Sequence, residues 1–229
     1  MPIGSGTIPI MGEAFLWIDL IGVLANAILG GITAKRLRFD LVGFTVLALA
    51  TGLGGGILRD VLLGRGTPVA LTNHTYIPLA ALGALIAFVV PIRKVFQERL
   101  FPLMDALALG AWAYTGTHKG LAFGLGPVQA ILLGVVSATG GGMLRDLLSR
   151  KMPVIFGDNT LYATSALVSS VLVVVFYKLG DSPWGALVAM ATGSLLTIVS
   201  AWRGWTLPRS ISNPFKGRDF RRYIRIRRR

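Results

Sequence analysis

Long apolar runs separated by short polar turns dominate this 229-residue chain. The pattern predicts seven helices: 14–34, 40–63, 76–95, 101–117, a fifth from Pro127 to a close at Arg150-Lys-Met-Pro153, then 160–179 and 184–202. Each approaches the length of about 20 residues that a helix needs to cross a hydrocarbon core of about 30 Å. The breaks carry recognisable punctuation. Asp40 is placed to cap the second helix, Gly64-Arg-Gly-Thr-Pro68 closes it, and Pro183 suits the first turn of the last.

One polar pattern interrupts these runs twice. Thr51-Gly-Leu-Gly-Gly-Gly-Ile-Leu-Arg-Asp60 returns 86 residues later as Ser137-Ala-Thr-Gly-Gly-Gly-Met-Leu-Arg-Asp146. The same spacing relates Asp19 to Asp105, Gly30 to Gly116, Leu62 to Leu148, Asn73 to Asn159 and Tyr76 to Tyr162, without a gap. The chain is therefore an internal duplication. Its parts are a first three-helix repeat over 14–97, a second over 101–180, a seventh helix over 184–203, and a tail over 204–229. Three spans per repeat is an odd number, so the second copy is expected to insert upside down relative to the first. The fold class is an all-α polytopic membrane protein: an inverted 3+3 repeat plus one C-terminal helix.

Composition agrees. Apolar residues make up 53% of the chain and charged residues 14%, and the mean hydropathy is +0.67. The net charge of +13 is mostly local: the segment 203–229 holds ten Lys or Arg against a single Asp219. Directly after a spanning helix, such a tail reads as a cytoplasmic segment drawn to anionic lipid headgroups, not as a nucleic-acid footprint. Alternate turns support that orientation. Lys35, Arg36, Arg38, Arg93, Lys94, Arg99, Arg145, Arg150 and Lys151 fall on the side of the tail, whereas only Arg59, Arg65, Lys119 and Lys178 fall opposite. The expectation is a prokaryotic plasma-membrane protein with its N-terminus outside and C-terminus cytoplasmic. Nothing resembling a cleavage site follows the first apolar run, so it is expected to remain in the mature protein. Cysteine is absent, which removes disulfides and thiolate metal sites. No nucleophile–base set or metal cluster is visible, so enzymes are excluded and no cofactor is expected. His74 and His118 each stand alone beside a predicted turn and read as solvated interfacial residues.

The glycine triplets carry the candidate chemistry. Three adjacent glycines weaken a helical turn by a few times the usual 0.5–1 kcal/mol, about 2–3 kcal/mol, so a kink or unwound turn is expected in helices 2 and 5. Carbonyls freed there would need protein or water as partners, and a K⁺ or Na⁺ ion would satisfy them. The candidate ion-binding set is Thr51, Gly54, Gly55, Gly56, Ser137, Thr139, Gly140, Gly141 and Gly142. Alanine at Gly55 and Gly141 is expected on this reading to straighten the helices and reduce conduction without harming the fold. The alternative is that the glycines let two helices pack closely, as small residues do in membranes. Arg59 and Asp60 point about 100° apart on a helix, so their ion-pair partners are sought elsewhere. Asp19, Asp105 and the opposite member of the pair Arg145-Asp146 are the candidates, giving charge networks at two pore mouths; because Arg59 and Arg145 sit within about two turns of a predicted helix end, a structural salt bridge at the membrane interface is the alternative.

Asp19-Leu-Ile-Gly22, Thr51-Gly-Leu-Gly-Gly-Gly56, Leu58-Arg-Asp60, Leu62-Leu-Gly64 and Pro68, with their echoes in the second half, resemble the paired signature of the trimeric intracellular cation (TRIC) channel family. Its prokaryotic members are also catalogued as glycine-transporter domains. The resemblance implies a homotrimer with one hourglass pore per protomer, glycine-kinked second and fifth helices, and passage of K⁺ and less selectively Na⁺. Two departures qualify it. Ser137-Ala-Thr139 stands where the first copy has Thr51-Gly-Leu53, so an ion site would be asymmetric. Lys119 is solitary, with no basic motif around it like the phosphoinositide-binding one of animal relatives. A secondary transporter of a small solute such as glycine remains the alternative function.

Overall fold

A computed structural model describes residues 9–91, 101–156, 161–180 and 182–207. Among the described residues the ordered elements are helices: α1 (Pro9–Arg36), α2 (Leu41–Leu63), α3 (Val69–Thr72), α4 (Tyr76–Val89), α5 (Phe101–Ala122), α6 (Pro127–Leu148), α7 (Tyr162–Lys178) and α8 (Pro183–Arg203), with a 3-10 turn at Val154–Phe156. The turn signals act as read. The Asp40 carboxylate accepts from the Gly43 amide at 2.7 Å and starts α2, and Gly64 ends it in the left-handed region with φ 64°. Pro127 and Pro183 open α6 and α8.

Four stretches are long and apolar enough to cross a membrane: Leu16–Arg36, Leu41–Leu63, Pro127–Leu148 and Pro183–Arg203. α4 and α7 are apolar but have only 14 and 17 residues. α5 has 22 residues and includes Asp105, His118 and Lys119. This is a multi-pass membrane protein.

Two helix ends differ from expectation. α4 stops at Val89, not near 95, because Pro91 holds Val90 extended (φ −80°, ψ 126°). Lys35 caps the shortened helix by donating to the carbonyls of Ala87, Phe88 and Val90 at 3.3, 3.0 and 3.4 Å. Residues 92–95 lie outside the described residues, as does the tail from 208. α5 runs on to Ala122, past the expected end at 117, and so carries Lys119 on its last turn. His118 is correspondingly not a solvated turn residue: it stacks on Tyr114 and meets Tyr177 edge-on, with centroids 5.3 and 5.7 Å apart.

α1, α2 and α4 pack on one another, α5, α6 and α7 do the same, α2 crosses α6, and α8 lies against α5 and α7. The duplication is visible in individual contacts. A methyl group on Gly30 would meet Thr51 Oγ1, the Leu47 carbonyl and Ala48 Cα; one on Gly116 would meet Ser137 Cβ, the Leu133 carbonyl and Gly134 Cα, which are the same positions 86 residues on. Lipid is as apolar as leucine, so helices in a membrane gain by close van der Waals approach, not by leaving water. Small side chains permit it here: Ala27, Ala48, Ala80, Ala113, Ala130 and Ala166 are fully buried.

The triplets follow that logic. Both α2 and α6 stay α-helical through their three glycines, so the unwound turn expected there is not formed. The glycines instead bring the helix backbones together. A methyl on Gly55 would collide with the Ser137 carbonyl, and a methyl on Gly141 would collide with the Thr51 carbonyl. Backbone cannot yield as a side chain can, so alanine at either position must push the helices apart, contrary to the expectation of an unharmed fold.

Candidate ion pathway

Two cavities flank the α2–α6 crossing and share no lining residue. The first holds about 20 Å³, room for about one water. Asp19, Gly56, Arg59, Asp60, Tyr76 and Trp112 line it, together with Val69 and Ala70 of α3. The second holds about 60 Å³ and is lined by Asp105, Thr139, Gly142, Arg145, Asp146 and Tyr162, together with Pro153, Val154 and Ile155. Seven lining positions recur in the second cavity at the repeat spacing: Asp19, Gly56, Arg59, Asp60 and Tyr76 with the same residue type, and Leu53 and Val69 as Thr139 and Ile155.

The charges are arranged differently from expectation. Arg59 and Asp60 pair with each other, Nε to Oδ1 at 2.8 Å and Nη2 to Oδ2 at 3.2 Å. Arg145 Nε likewise donates to Asp146 Oδ1 at 3.0 Å. The 100° between neighbouring side chains is overcome because the arginine stem is long enough to wrap around the helix and return its flat guanidinium to the carboxylate. Asp19 and Asp105 lie within electrostatic reach of Arg59 and Arg145 respectively, so in each copy the charges gather around an adjacent pair. Asp19 accepts from the Tyr76 hydroxyl and from Trp112 Nε1 at 2.7 Å. Asp105 accepts from the Tyr162 hydroxyl.

Each aspartate of the pair also holds main chain. Asp60 Oδ2 accepts the Val69 amide at 2.9 Å, and Asp146 Oδ2 accepts the Val154 amide at 3.2 Å. Gly64 and Gly66, with φ 64° and 119°, reverse the chain so that Val69 returns over the end of α2. After α6 the reversal is one residue shorter and uses Arg150 at φ 55°. Asp60 takes one more partner, Lys119 Nζ at 2.7 Å from α5.

The candidate ion-binding residues are thus divided. Gly56, Gly142 and Thr139 line the cavities. Gly54, Gly55, Gly140 and Gly141 sit at the crossing, where Leu144 packs on Gly54 and Leu58 on Gly140. The Thr51 hydroxyl bonds its own helix at the Leu47 carbonyl (2.6 Å) and faces Gly30 of α1. Thr139 bonds the Val135 carbonyl at 2.8 Å, and the buried Ser137 hydroxyl has no hydrogen-bond partner among the described residues. Reading the sequence missed Lys119, Trp112 and the two valine amides. Pro68-Val69 recurs as Pro153-Val154, 85 residues on, a signal for the amides; Lys119 has Thr33 at its repeat position and so left none.

The sequence model of a family described as glycine transporter matches this chain twice, over residues 16–91 and 102–178. A UPF0126 membrane protein of Deinococcus radiodurans is 38% identical over 84% of this chain and 88% of its own length. A solved TRIC cation channel superposes with a TM-score of 0.79 at 31% identity, covering 86% of this chain and 97% of that one. The TRIC trimeric intracellular cation channel orthologue from Rhodobacter sphaeroides gives 0.76 at 31%, covering 84% and 99%. The chain belongs to the TRIC family. Within a TRIC fold, the duplicated Arg-Asp pair and the glycine crossing are what each copy contributes to the same central assembly.

Proposed function

We propose that this TRIC-family chain is a channel for monovalent cations, K⁺ and less selectively Na⁺, with a pore in each protomer of a homotrimer. The observation that carries the reading is its likeness to two TRIC cation channels over 97% and 99% of their length at 31% identity. The site adds supporting chemistry: two carboxylate-bearing cavities flank a crossing made of helix backbone. A glycine transporter needs one solute pocket near the middle of the membrane. Here the middle of the α2–α6 pair is backbone against backbone, and the cavities lie to either side.

In this reading the segments 14–97 and 101–180 are repeats of opposite orientation, α8 is the seventh span, and the N-terminus is outside. The first mouth then faces the exterior, the second the cytoplasm, and the tail 204–229 rests on anionic headgroups. Residues 54–56 and 140–142, with Thr51, Ser137 and Thr139, form the constriction, which bends and widens when the crossing loosens. Asp19, Arg59, Asp60, Asp105, Arg145 and Asp146 set the potential at the mouths. Purified protein in a planar bilayer should give step-like K⁺ currents. Saturable uptake of labelled glycine into proteoliposomes without such currents would overturn the reading in favour of the transporter.

A further inference from the structure

Each cavity is lined in part by a folded-back segment held to the helix below it by a main-chain hydrogen bond to an aspartate. We infer that Asp60 and Asp146 are positioning residues that latch these segments, α3 and the Val154–Phe156 turn, over the two mouths, and that the mouths open independently, the second more readily. The inference rests on the channel reading only for its consequence in current; the latches themselves are a matter of geometry.

The carboxylates are placed for this task. Asp60 and Asp146 sit near the ends of their helices, and in both cases Oδ1 receives the neighbouring arginine Nε while Oδ2 receives the valine amide, an oxygen that in Asp60 also takes Arg59 Nη2. An oxygen committed to a backbone N–H fixes the segment and is withdrawn from a passing ion. The segments put apolar groups, not ligands, into the mouth. Ala70 is buried among Leu53, Tyr76 and Trp112, and Val69 packs against the same cluster. No residue of the Val154–Phe156 turn is buried.

The two latches differ in strength. Asp60 is held from three directions, by Arg59 twice, Lys119 at 2.7 Å and Val69 at 2.9 Å. Asp146 is held at longer range, by Arg145 at 3.0 Å and Val154 at 3.2 Å, above the larger cavity. A carboxylate pinned by more donors reorients less easily, so the segment it holds is released less often.

The chain has no cysteine, so single thiols report on each mouth alone. Ala70→Cys and Ile155→Cys, purified separately in detergent, are to be labelled with a small uncharged methanethiosulfonate, and the rate read by mass. Ile155→Cys should label faster than Ala70→Cys. The latch is then removed without touching any charge, by Val69→Pro or Val154→Pro, since proline has no N–H and suits the first position of a helical turn after an extended residue. Val69→Pro should speed Ala70→Cys about tenfold, the weight of one hydrogen bond to a charged group on a local opening, and leave Ile155→Cys unchanged. Val154→Pro should do the reverse. In a bilayer each proline variant should raise the open probability.

Equal labelling before and after the proline substitutions overturns the latch, and so does acceleration of both thiols together, which marks general loosening. If Val69→Pro fails to fold, Asp60→Asn carries the same test: it keeps an acceptor for the amide but loses the ion pairs, and should speed Ala70→Cys alone. Selective labelling without K⁺ current in any variant would uphold the latches and remove the channel reading. Current with unselective labelling would do the opposite.

Discussion

The triad of α1, α2 and α4 closes on itself, whereas the triad of α5, α6 and α7 opens to admit α8. In the first, Gly83 lets α4 touch α1: a methyl there would stand 2.9 Å from the Leu24 carbonyl and 2.8 Å from Ala27 Cβ. The position 86 residues on is Ser169, whose hydroxyl donates to the Ala189 carbonyl of α8 at 2.8 Å. Gly110 likewise lets α8 approach, since a methyl there would meet the Met190 carbonyl and Ser194 Oγ. The interior of the second triad is also more polar. Thr117 and Ser170 bring two buried hydroxyls, without hydrogen-bond partners among the described residues, against Gly134, where the first triad has Gly31 and Ala84 against Ala48.

The two copies agree where they face each other and diverge where they do not. Gly55 meets the carbonyl of residue 137 and Gly141 that of residue 51, a reciprocal pair that neither copy can change alone without parting the crossing. The mouths are intermediate: both keep the aspartate, arginine and tyrosine, but among the described residues only the first receives a lysine from the other copy.

The largest effect should fall on the first mouth. Asp60→Ala leaves Arg59 and Lys119 without their carboxylate in a buried site, and should destabilise the protein by about 3–5 kcal/mol. Asp146→Ala strands Arg145, whose side chain is twice as exposed as that of Arg59, 16% against 8%, and should cost clearly less. Urea unfolding in detergent measures both, and equal losses would erase the distinction between the mouths. Next come Gly55→Ala and Gly141→Ala. Overpacking against rigid backbone costs about 1–3 kcal/mol, and the gain in helix propensity of up to about 1 kcal/mol does not cancel it. The losses should match, because the contacts are reciprocal. A tolerated Gly141→Ala beside a damaging Gly55→Ala would break the symmetry of the crossing.

Helices, their order and the duplication were legible because they rest on local patterns: apolar runs, caps such as Asp40, and a motif repeated at fixed spacing. The state of the triplets was not. Glycine in a helix signals weakness locally, and only the reciprocal contact of residues 55 and 141 makes close packing the stronger term. The Arg-Asp pairing was misread because side-chain direction at Cβ was taken for the position of a guanidinium that lies several bonds further on. Lys119 was unreadable, as its partner is 59 residues away in the other copy and no repeat position echoes it. The valine amides carry no side-chain signature at all.

The outer surface of the second triad gives a smaller test. Ser169→Ala removes one interhelical hydrogen bond, worth about 0.6 kcal/mol on average in membrane proteins. Hydrogen exchange along α8 should rise while that of α4 stays unchanged. If α4 responds equally, the triads are coupled more tightly than their separate packing implies.

The smallest effect on stability, and the most informative for conduction, belongs to Gly56→Ala and Gly142→Ala. At Gly56 the nearest atom to an added methyl is Arg59 Nη2 at 3.7 Å, and at Gly142 it is Arg145 Nη2 at 3.8 Å. Neither contact forces a shift, so both substitutions should be neutral or stabilising by up to about 1 kcal/mol, in contrast to their neighbours Gly55 and Gly141. Both methyls nevertheless project into the cavities. A mouth of about 20 Å³ loses a larger share of its space than one of about 60 Å³. K⁺ conductance should therefore fall for both variants, and further for Gly56→Ala than for Gly142→Ala, at undiminished stability. Equal conductance in the two would mean that mouth size does not limit the current, and unchanged conductance in both would take the cavities out of the ion path while leaving the glycine crossing as a purely structural joint.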